Sequence, residues 1–234
     1  MKQNFCIIIP SRIGSTRLKN KPLVDLNGKS LIQRVYLNAQ SITSDTYVAT
    51  DSELIKDNLK DFTENVVMTS GDHISGTDRI CEAANKLKIN QNTLIINLQG
   101  DEPFVPKNLI TKLIEDYYQS SCDIVTSCTP IISSFDLTNP NCVLVEVDKY
   151  NFATKFTRVE SLDNPMRHIG IYGYSLETLN KLVNLEPTKN ELELKLEQLR
   201  FIENGYSIFV SKHNDQIPNG IDTPEDVINA NLYL

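Results

Sequence analysis

The chain has 234 residues, 40% of them apolar, with no tryptophan and a formal charge of −7. That length suits one large domain, or a core domain with a modest second lobe, and supplies enough chain for a substantial core. A net negative chain repels polynucleotide backbones, so nucleic-acid binding by bulk charge is excluded.

Residues 5–9 (F-C-I-I-I) form a continuous apolar run stopped by Pro10 and read as a strand buried on both faces. Residues 30–41 place Leu31, Ile32, Val35, Leu37 and Ala39 at mostly helical spacing; 46–50 read as a strand and 52–59 as a short helix. A helix over 80–87 carries Ile80, Ala83, Ala84 and Leu87 on one stripe, and 94–98 (L-I-I-N-L) repeats the buried-strand pattern. This alternation predicts a parallel sheet covered on both faces. From Asp123 the pattern changes: 123–128, 142–147, 152–157 and 168–175 read as strands joined by short turns, an antiparallel or mixed portion. Residues 189–203 read as one helix with Leu192, Leu196 and Leu199 buried. A strand at 206–211 then leads through Asn219-Gly220 to a final helix, capped by Thr223 with Pro224 in its first turn.

The five cysteines (Cys6, Cys81, Cys122, Cys128, Cys142) are odd in number and include no C-x-x-C pair, which argues against a disulfide framework or zinc site and for a reducing compartment. No apolar stretch nears the ~18 residues of a membrane span, and Pro10 and Arg12 end the first apolar run too early for a signal peptide. A soluble cytoplasmic protein with no membrane partner is expected.

The net charge conceals a segment of opposite sign. Residues 10–34 carry Arg12, Arg17, Lys19, Lys21, Lys29 and Arg34 against Asp25 alone, a local charge of +5. Within it, P-S-R-I-G-S-T-R-L-K-N-K-P-L (10–23) directly follows the first strand, and the ligand crevice of an open parallel sheet lies at the carboxyl ends of its strands. Ser11, Gly14, Ser15 and Thr16 let backbone N–H groups approach a phosphate, while Arg12, Arg17 and Lys21 supply charge; the alternative is a solvated basic turn. Asn27-Gly28-Lys29-Ser30 ends like a P-loop, but that motif's first glycine would fall on Leu23, so it reads as a hairpin turn. The absence of G-x-G-x-x-G gives no indication of a nicotinamide or flavin cofactor.

Asp101, in Gln99-Gly100-Asp101-Glu102-Pro103, follows the second buried strand; it either holds Mg²⁺ against a nucleotide phosphate or caps the helix that starts near Pro106. In residues 219–226, Thr223 and Asp226 make a capping-box variant and leave Asp222 as a second carboxylate without a structural role. Ser75-Gly76-Thr77-Asp78-Arg79 reads equally as a helix N-cap or a base-reading loop. In residues 167–174 (R-H-I-G-I-Y-G-Y) the alternation presents His168, Gly170 and Tyr172 outward, although a lone strand histidine is more often structural. Glu193, Glu197 and Arg200 recur on one helical face that would ordinarily be solvated.

Six of these motifs, P-S-R-I-G-S-T-R-L-x-x-K-P-L, S-G-T-D-R, N-L-Q-G-D-E-P, R-H-I-G-I-Y-G-Y, L-E-Q-L-R and G-I-D-T-P-E-D, occur in an order that resembles the CMP-Kdo synthetases (3-deoxy-manno-octulosonate cytidylyltransferases) over essentially the whole chain. The resemblance implies an α/β fold: a Rossmann-like, mostly parallel nucleotidyltransferase sheet with a smaller mixed α/β dimerisation lobe. It implies one cytidylyltransferase domain over 1–234, with roughly 130–185 contributing the lobe, and a homodimer. The implied reaction joins CTP to the anomeric hydroxyl of a 3-deoxy-ulosonic acid, Kdo, with release of pyrophosphate and a requirement for Mg²⁺, activating the sugar for lipopolysaccharide synthesis.

By motif position the resemblance gives Lys21, Arg12 and Asp101 to catalysis and Asp101 with Asp222 to the metal. Pro10, Ser11, Arg12, Arg17 and Lys21, together with Ser75, Gly76, Thr77, Arg79 and Gln99, would meet the nucleotide. Gln99, His168, Tyr172, Glu197 and Gln198 would line the sugar pocket, with Arg158 a candidate partner for the sugar carboxylate. Two departures stand out. The segment 159–166 is shorter than in members of the family, which leaves the sugar open between Kdo and a relative such as its 8-amino analogue. Lys19-Asn20 stands where Pro-Gly is usual, and Asn tolerates the positive φ such a turn needs. A glycosyltransferase on a similar fold would want an Asp-x-Asp motif, but position 103 is Pro. A noncatalytic nucleotide-binding descendant is opposed by retention of Lys21, Asp101 and Asp222.

Overall fold

Three consecutive isoleucines set the centre of the fold. In the computed structural model, which describes residues 4–15, 17–131, 137, 142–158 and 162–234, Ile7, Ile8 and Ile9 are wholly buried in strand β1 (Phe5–Ser11). Thr16 and residues 159–161, part of the segment expected to be short, lie outside the described residues. The chain divides into two compact units, Met1–Lys107 with Pro218–Leu234, and Asn108–Ile217.

In the first unit, β1 runs two residues beyond the apolar run, with Pro10 and Ser11 paired to Ala49 and Thr50. The expectation that Pro10 stops the strand is corrected. Pairing to the strand on the other side ends at Ile8, so proline's missing N–H falls where the ladder needs no donor. A two-residue hairpin follows, β2 (Asp25–Leu26) and β3 (Lys29–Ser30), turned by Asn27 and Gly28 at φ 46° and 80°, the left-handed pair that such a turn requires. Helix α1 (Leu31–Gln40) is started by a capping box between Ser30 and Gln33. Its buried stripe is Leu31, Ile32, Val35, Tyr36 and Ala39. Tyr36 thus replaces the expected Leu37, which is half-buried, because the i, i+4 step from Ile32 lands on it.

Strand β4 (Thr46–Thr50), helix α2 (Glu53–Leu59), strand β5 (Val66–Met68), helix α3 (Gly76–Lys86) and strand β6 (Leu94–Asn97) complete the alternation. The strands pair in parallel in the order β6-β1-β4-β5, as an α/β sheet. Helix α3 begins four residues before the expected start at Ile80, because Ser75 caps it by a reciprocal bond with Asp78.

The second unit opens on helix α4 (Lys107–Ser120), whose first residue belongs to the first unit. Its sheet is mixed, as the change of pattern after Asp123 implied. Strand β7 (Ile124–Thr129) pairs antiparallel with β10 (Met166–Ser175); β8 (Leu144–Val147) pairs antiparallel with both β10 and β9 (Ala153–Thr157); β11 (Ile208–Lys212) pairs in parallel with β7. Helix α5 (Leu176–Leu182) follows β10.

The single helix expected over 189–203 is corrected to two, α6 (Lys189–Leu194) and α7 (Glu197–Glu203). They are separated by Lys195 in the left-handed region at φ 53°, which ends α6. The break dissolves the expected stripe: Leu192 is 65% exposed, while Leu196 and Leu199 are buried. The last helix, α8 (Pro224–Tyr233), returns to the first unit with Thr223 and Asp226 in the expected capping box. None of the five cysteines is in a disulfide and all are buried, and burial pushes the Cys6 and Cys128 thiols up to about 12. Among the described residues no helix is long and apolar enough to cross a membrane.

Candidate active site

A cleft of about 390 Å³ opens in the first unit at the carboxyl ends of β1 and β6. Its lining brings together most of the expected nucleotide residues: Pro10, Ser11, Arg12, Arg17, Lys21, Ser75, Gly76, Arg79 and Gln99, with Asp101 and Asp222.

The basic loop presents Lys21 through a tight turn. Asn20 adopts φ 52°, as the tolerance of Asn for that region implied, and a 3-10 turn at Lys21–Leu23 with Pro22 inside it fixes the residue. The Lys21 Nζ lies 2.6 Å from Asp101 Oδ2 and 2.9 Å from Asp222 Oδ1, and Arg17 reaches the same Asp222 oxygen at 3.0 Å. Burial pulls the Lys21 pKa down, but the charge of Asp101 and the hydrogen bonds to Asp101 and Asp222 outweigh it. The pKa is raised and the ammonium stays charged.

Local sequence explains why two carboxylates 121 positions apart in the chain meet. The turn after β6 passes so close to β1 that a Cβ on Gly100 would stand 2.8 Å from the Pro10 carbonyl oxygen, which only glycine avoids. The returning segment is stitched to this turn: Ile221 N–H donates to Asp101 O at 2.9 Å, and a Cβ on Gly220 would come 3.1 Å from that same oxygen. Asp226 Oδ2 accepts from the backbone N–H groups of Asp222 and Thr223 at 2.9 and 2.8 Å, so the cap of α8 also orients Asp222. Asp101 therefore caps no helix; α4 starts at Lys107.

The donor set fits Mg²⁺. Two carboxylates, 31% and 38% exposed, converge on one cation. Among the described residues no group of three or more His, Cys, Asp or Glu side chains stands ready to hold a metal. Mg²⁺ prefers one or two carboxylates with phosphate oxygens and water for the rest, which this pair supplies in part and a nucleotide would complete.

On the other wall, Ser75 both caps α3 and lines the cleft, so the N-cap reading of S-G-T-D-R holds and leaves the loop facing the cleft. Gly76 lets the helix start sit against Pro10 and Gln99; a Cβ there would be 3.2 Å from Pro10 Cγ. Thr77 is buried and is not among the lining residues. Arg79 lines the cleft but is 3% exposed, its guanidinium donating to Thr69 Oγ1 at 2.6 Å and to Asp51 at 3.2 Å, which ties α3 to β4's end.

Sequence reasoning missed His73, Ile74 and Glu82. His73 bonds through Nε2 to Glu82 Oε2, an oxygen that also accepts from Ser70 N–H at 2.9 Å, while Lys86 pairs with Oε1 at 2.6 Å. Burial raises the Glu82 pKa, but hydrogen bonds from Lys86, Ser70 and His73 win, and it falls to about 2. A histidine just before an N-cap, with a glutamate on the capped helix, is the signal that could have found this clasp.

The remaining sugar candidates, Arg158, His168, Tyr172, Glu197 and Gln198, all lie in the second unit. His168 is 8% exposed, which corrects the outward placement read from the alternation: the register of β10 against β7 shifts between Ile169 and Tyr172. Thr126 Oγ1 lies 2.8 Å from both His168 Nε2 and the Ile171 carbonyl. The hydroxyl proton goes to the carbonyl, so Nε2–H donates to Thr126 and Nδ1 is left as the acceptor. Burial, then the Arg158 charge, lowers the His168 pKa to about 3 and keeps the ring neutral. Burial, then the Glu197 charge, raises the Tyr172 pKa, with Arg158 opposing. Arg200, expected on a solvated face, is instead buried: it pairs with Glu191 at 3.0 Å and Glu197 at 3.3 Å and donates to Leu185 O. Gln198 is buried beside it on α7.

Comparison with known proteins gives the family and the fold. Residues 6–208 match the profile of a family described as Cytidylyltransferase. A 3-deoxy-manno-octulosonate cytidylyltransferase of Polynucleobacter necessarius subsp. necessarius (strain STIR1) is 39% identical over 96% of this chain and 93% of its own. One of Francisella tularensis subsp. novicida (strain U112) is 39% identical over 96% of each. A solved structure of CMP:2-keto-3-deoxy-manno-octonic acid synthetase complexed with CTP superposes with a TM-score of 0.90 at 31% identity, over 99% of this chain and 98% of that one. A glucose-1-phosphate thymidylyltransferase from Bacillus anthracis, 14% identical with a TM-score of 0.70 over 98% and 94% of the two chains, shares the fold.

Proposed function

The chain belongs to the cytidylyltransferase family, and we propose that it transfers CMP from CTP to the anomeric hydroxyl of Kdo, releasing pyrophosphate. The observation that carries this reading is the convergence of Asp101 and Asp222 on Lys21 at the mouth of a basic loop. Its relatives named for this reaction support it.

The anomeric oxygen forms a bond to the α-phosphorus of CTP as the bond to the β-phosphate oxygen breaks; the hydroxyl gives its proton to solvent, and pyrophosphate leaves with the electron pair of the broken bond. The main task is alignment and stabilisation of charge on phosphoryl oxygens. Arg12, Arg17 and Lys21 serve the triphosphate and the leaving pyrophosphate. Asp101 and Asp222 would hold Mg²⁺, which when bound polarises phosphate oxygens and favours the deprotonated hydroxyl. Lys21 then exchanges its carboxylate partners for phosphate oxygens. Pro10, Ser11, Ser75, Gly76 and Gln99 meet the nucleoside, with Arg79 holding α3 behind them. Neutral His168 accepts a hydroxyl through Nδ1, Tyr172 donates one, and Arg158 faces the sugar carboxylate. Glu197, held by Arg200, and Gln198 add polar contacts.

The same reading makes the protein a cytoplasmic homodimer, with roughly 130–185 contributing the dimer lobe, that activates its sugar for lipopolysaccharide synthesis. Asp101→Ala is the direct test of the metal assignment. Pyrophosphate release from CTP, Mg²⁺ and Kdo should fall about a hundredfold or more, several kcal/mol of charge stabilisation. Unchanged release would remove Asp101 from the metal site.

A further inference from the structure

Ile74 is 91% exposed, yet it lines the cleft. Among the described lining residues it is the one aliphatic side chain other than Pro10 and Pro22. Its backbone is pinned on both sides. His73 before it is held by Glu82, which also holds Ser70, and Ser75 after it is locked by the capping box with Asp78. A β-branched side chain has few χ1 rotamers to lose, so a stiff apolar group stands at the edge of a polar cleft.

The cleft's polar groups divide. Arg17, Lys21, Asp101 and Asp222 form one ion cluster, suited to a triphosphate with its metal. Pro10, Gly76 and Gln99 line the other wall, where a Cβ on Gly76 would come 3.2 Å from Pro10 Cγ and 3.8 Å from Gln99 Oε1, and Ile74 stands two residues before Gly76. Isoleucine gains nothing from a phosphate oxygen, whereas the face of a pyrimidine or the carbon edge of a ribose covers it. We infer that Ile74 is a nucleoside-binding residue, an apolar lip that packs on the cytidine of CTP and adds affinity for the nucleoside without touching the triphosphate.

This inference rests on the proposed use of CTP, and the experiment separates the two. Calorimetric titrations compare the wild-type protein with Ile74→Ser and Ile74→Val, using CTP and inorganic triphosphate, each with Mg²⁺. Covering about half of an isoleucine side chain corresponds to roughly a five- to tenfold change in Kd. Ile74→Ser should weaken CTP by that factor, leave triphosphate binding and melting temperature unchanged, and Ile74→Val should restore most of the loss. Equal CTP affinity in wild type and Ile74→Ser, or parallel loss of CTP and triphosphate, overturns the role of Ile74. Wild-type protein that does not bind CTP overturns the proposed function and this inference with it.

Discussion

Lys21 occupies the position between Asp101 and Asp222 that a divalent cation would share. On the proposed metal assignment the ammonium would compete with Mg²⁺, and a triphosphate would relieve that competition by offering Lys21 new partners. Lys21→Met should tighten Mn²⁺ binding about tenfold in the absence of nucleotide, read by electron paramagnetic resonance, while turnover falls about a hundredfold for want of a cation on the phosphates. Mn²⁺ binding that weakens in the variant would contradict the exchange. His168 supplies a second residue-scale test. Its pKa falls from 6.5 to about 3 on folding, so between those values the unfolded chain binds a proton that the folded chain refuses. Stability is full above pH 6.5 and declines as pH drops toward 3, by roughly 2 kcal/mol between pH 7 and pH 5. His168→Gln should flatten that part of the pH–stability curve in denaturant titrations; an unchanged slope would place the titration elsewhere.

At the scale of elements, the start of α8 joins stability to the proposed metal site, because the Asp226 carboxylate that caps the helix also accepts from the Asp222 backbone. Asp226→Ala should cost about 1–2 kcal/mol of stability through the lost cap. It should also raise the Mg²⁺ concentration for half-maximal pyrophosphate release several-fold, with turnover at saturating Mg²⁺ much less affected. An unshifted Mg²⁺ requirement would make the cap purely structural.

Local signals of this kind were legible in the sequence. The Ser75 and Thr223 caps, the Asn27-Gly28 turn and the buried isoleucine run announce themselves by short-range chemistry, and the basic loop by charge. What periodicity could not show was tertiary. Nothing in the spacing of Leu192, Leu196 and Leu199 reports the left-handed Lys195 that splits their helix, and the bulge that buries His168 is set by pairing with β7. The clasp of His73 on Glu82, and the pairing of Arg200 with Glu191 and Glu197, depend on packing between segments that composition presents as solvated polar faces.

For the whole molecule, the charge of −7 is an average over parts of opposite purpose. The +5 segment supplies Arg12, Arg17 and Lys21 to the cleft, and the acidic remainder returns Asp101 and Asp222 to the same place. The parallel sheet of the first unit positions that cleft, while the mixed sheet of the second unit carries His168 and Tyr172 on β10, with Arg158 directly after β9. The family resemblance extends across both units, which is why it bears on sugar as well as nucleotide, and the shortened stretch at 159–166 makes the sugar the sharpest question. The most direct measurement is pyrophosphate release from CTP and Mg²⁺ with Kdo, its 8-amino analogue and sialic acid offered in parallel. Release is expected with Kdo, with or without the 8-amino analogue, and not with sialic acid or without sugar. Protein that binds CTP yet releases no pyrophosphate with either 3-deoxy-octulosonate would contradict its assignment as a Kdo-activating cytidylyltransferase.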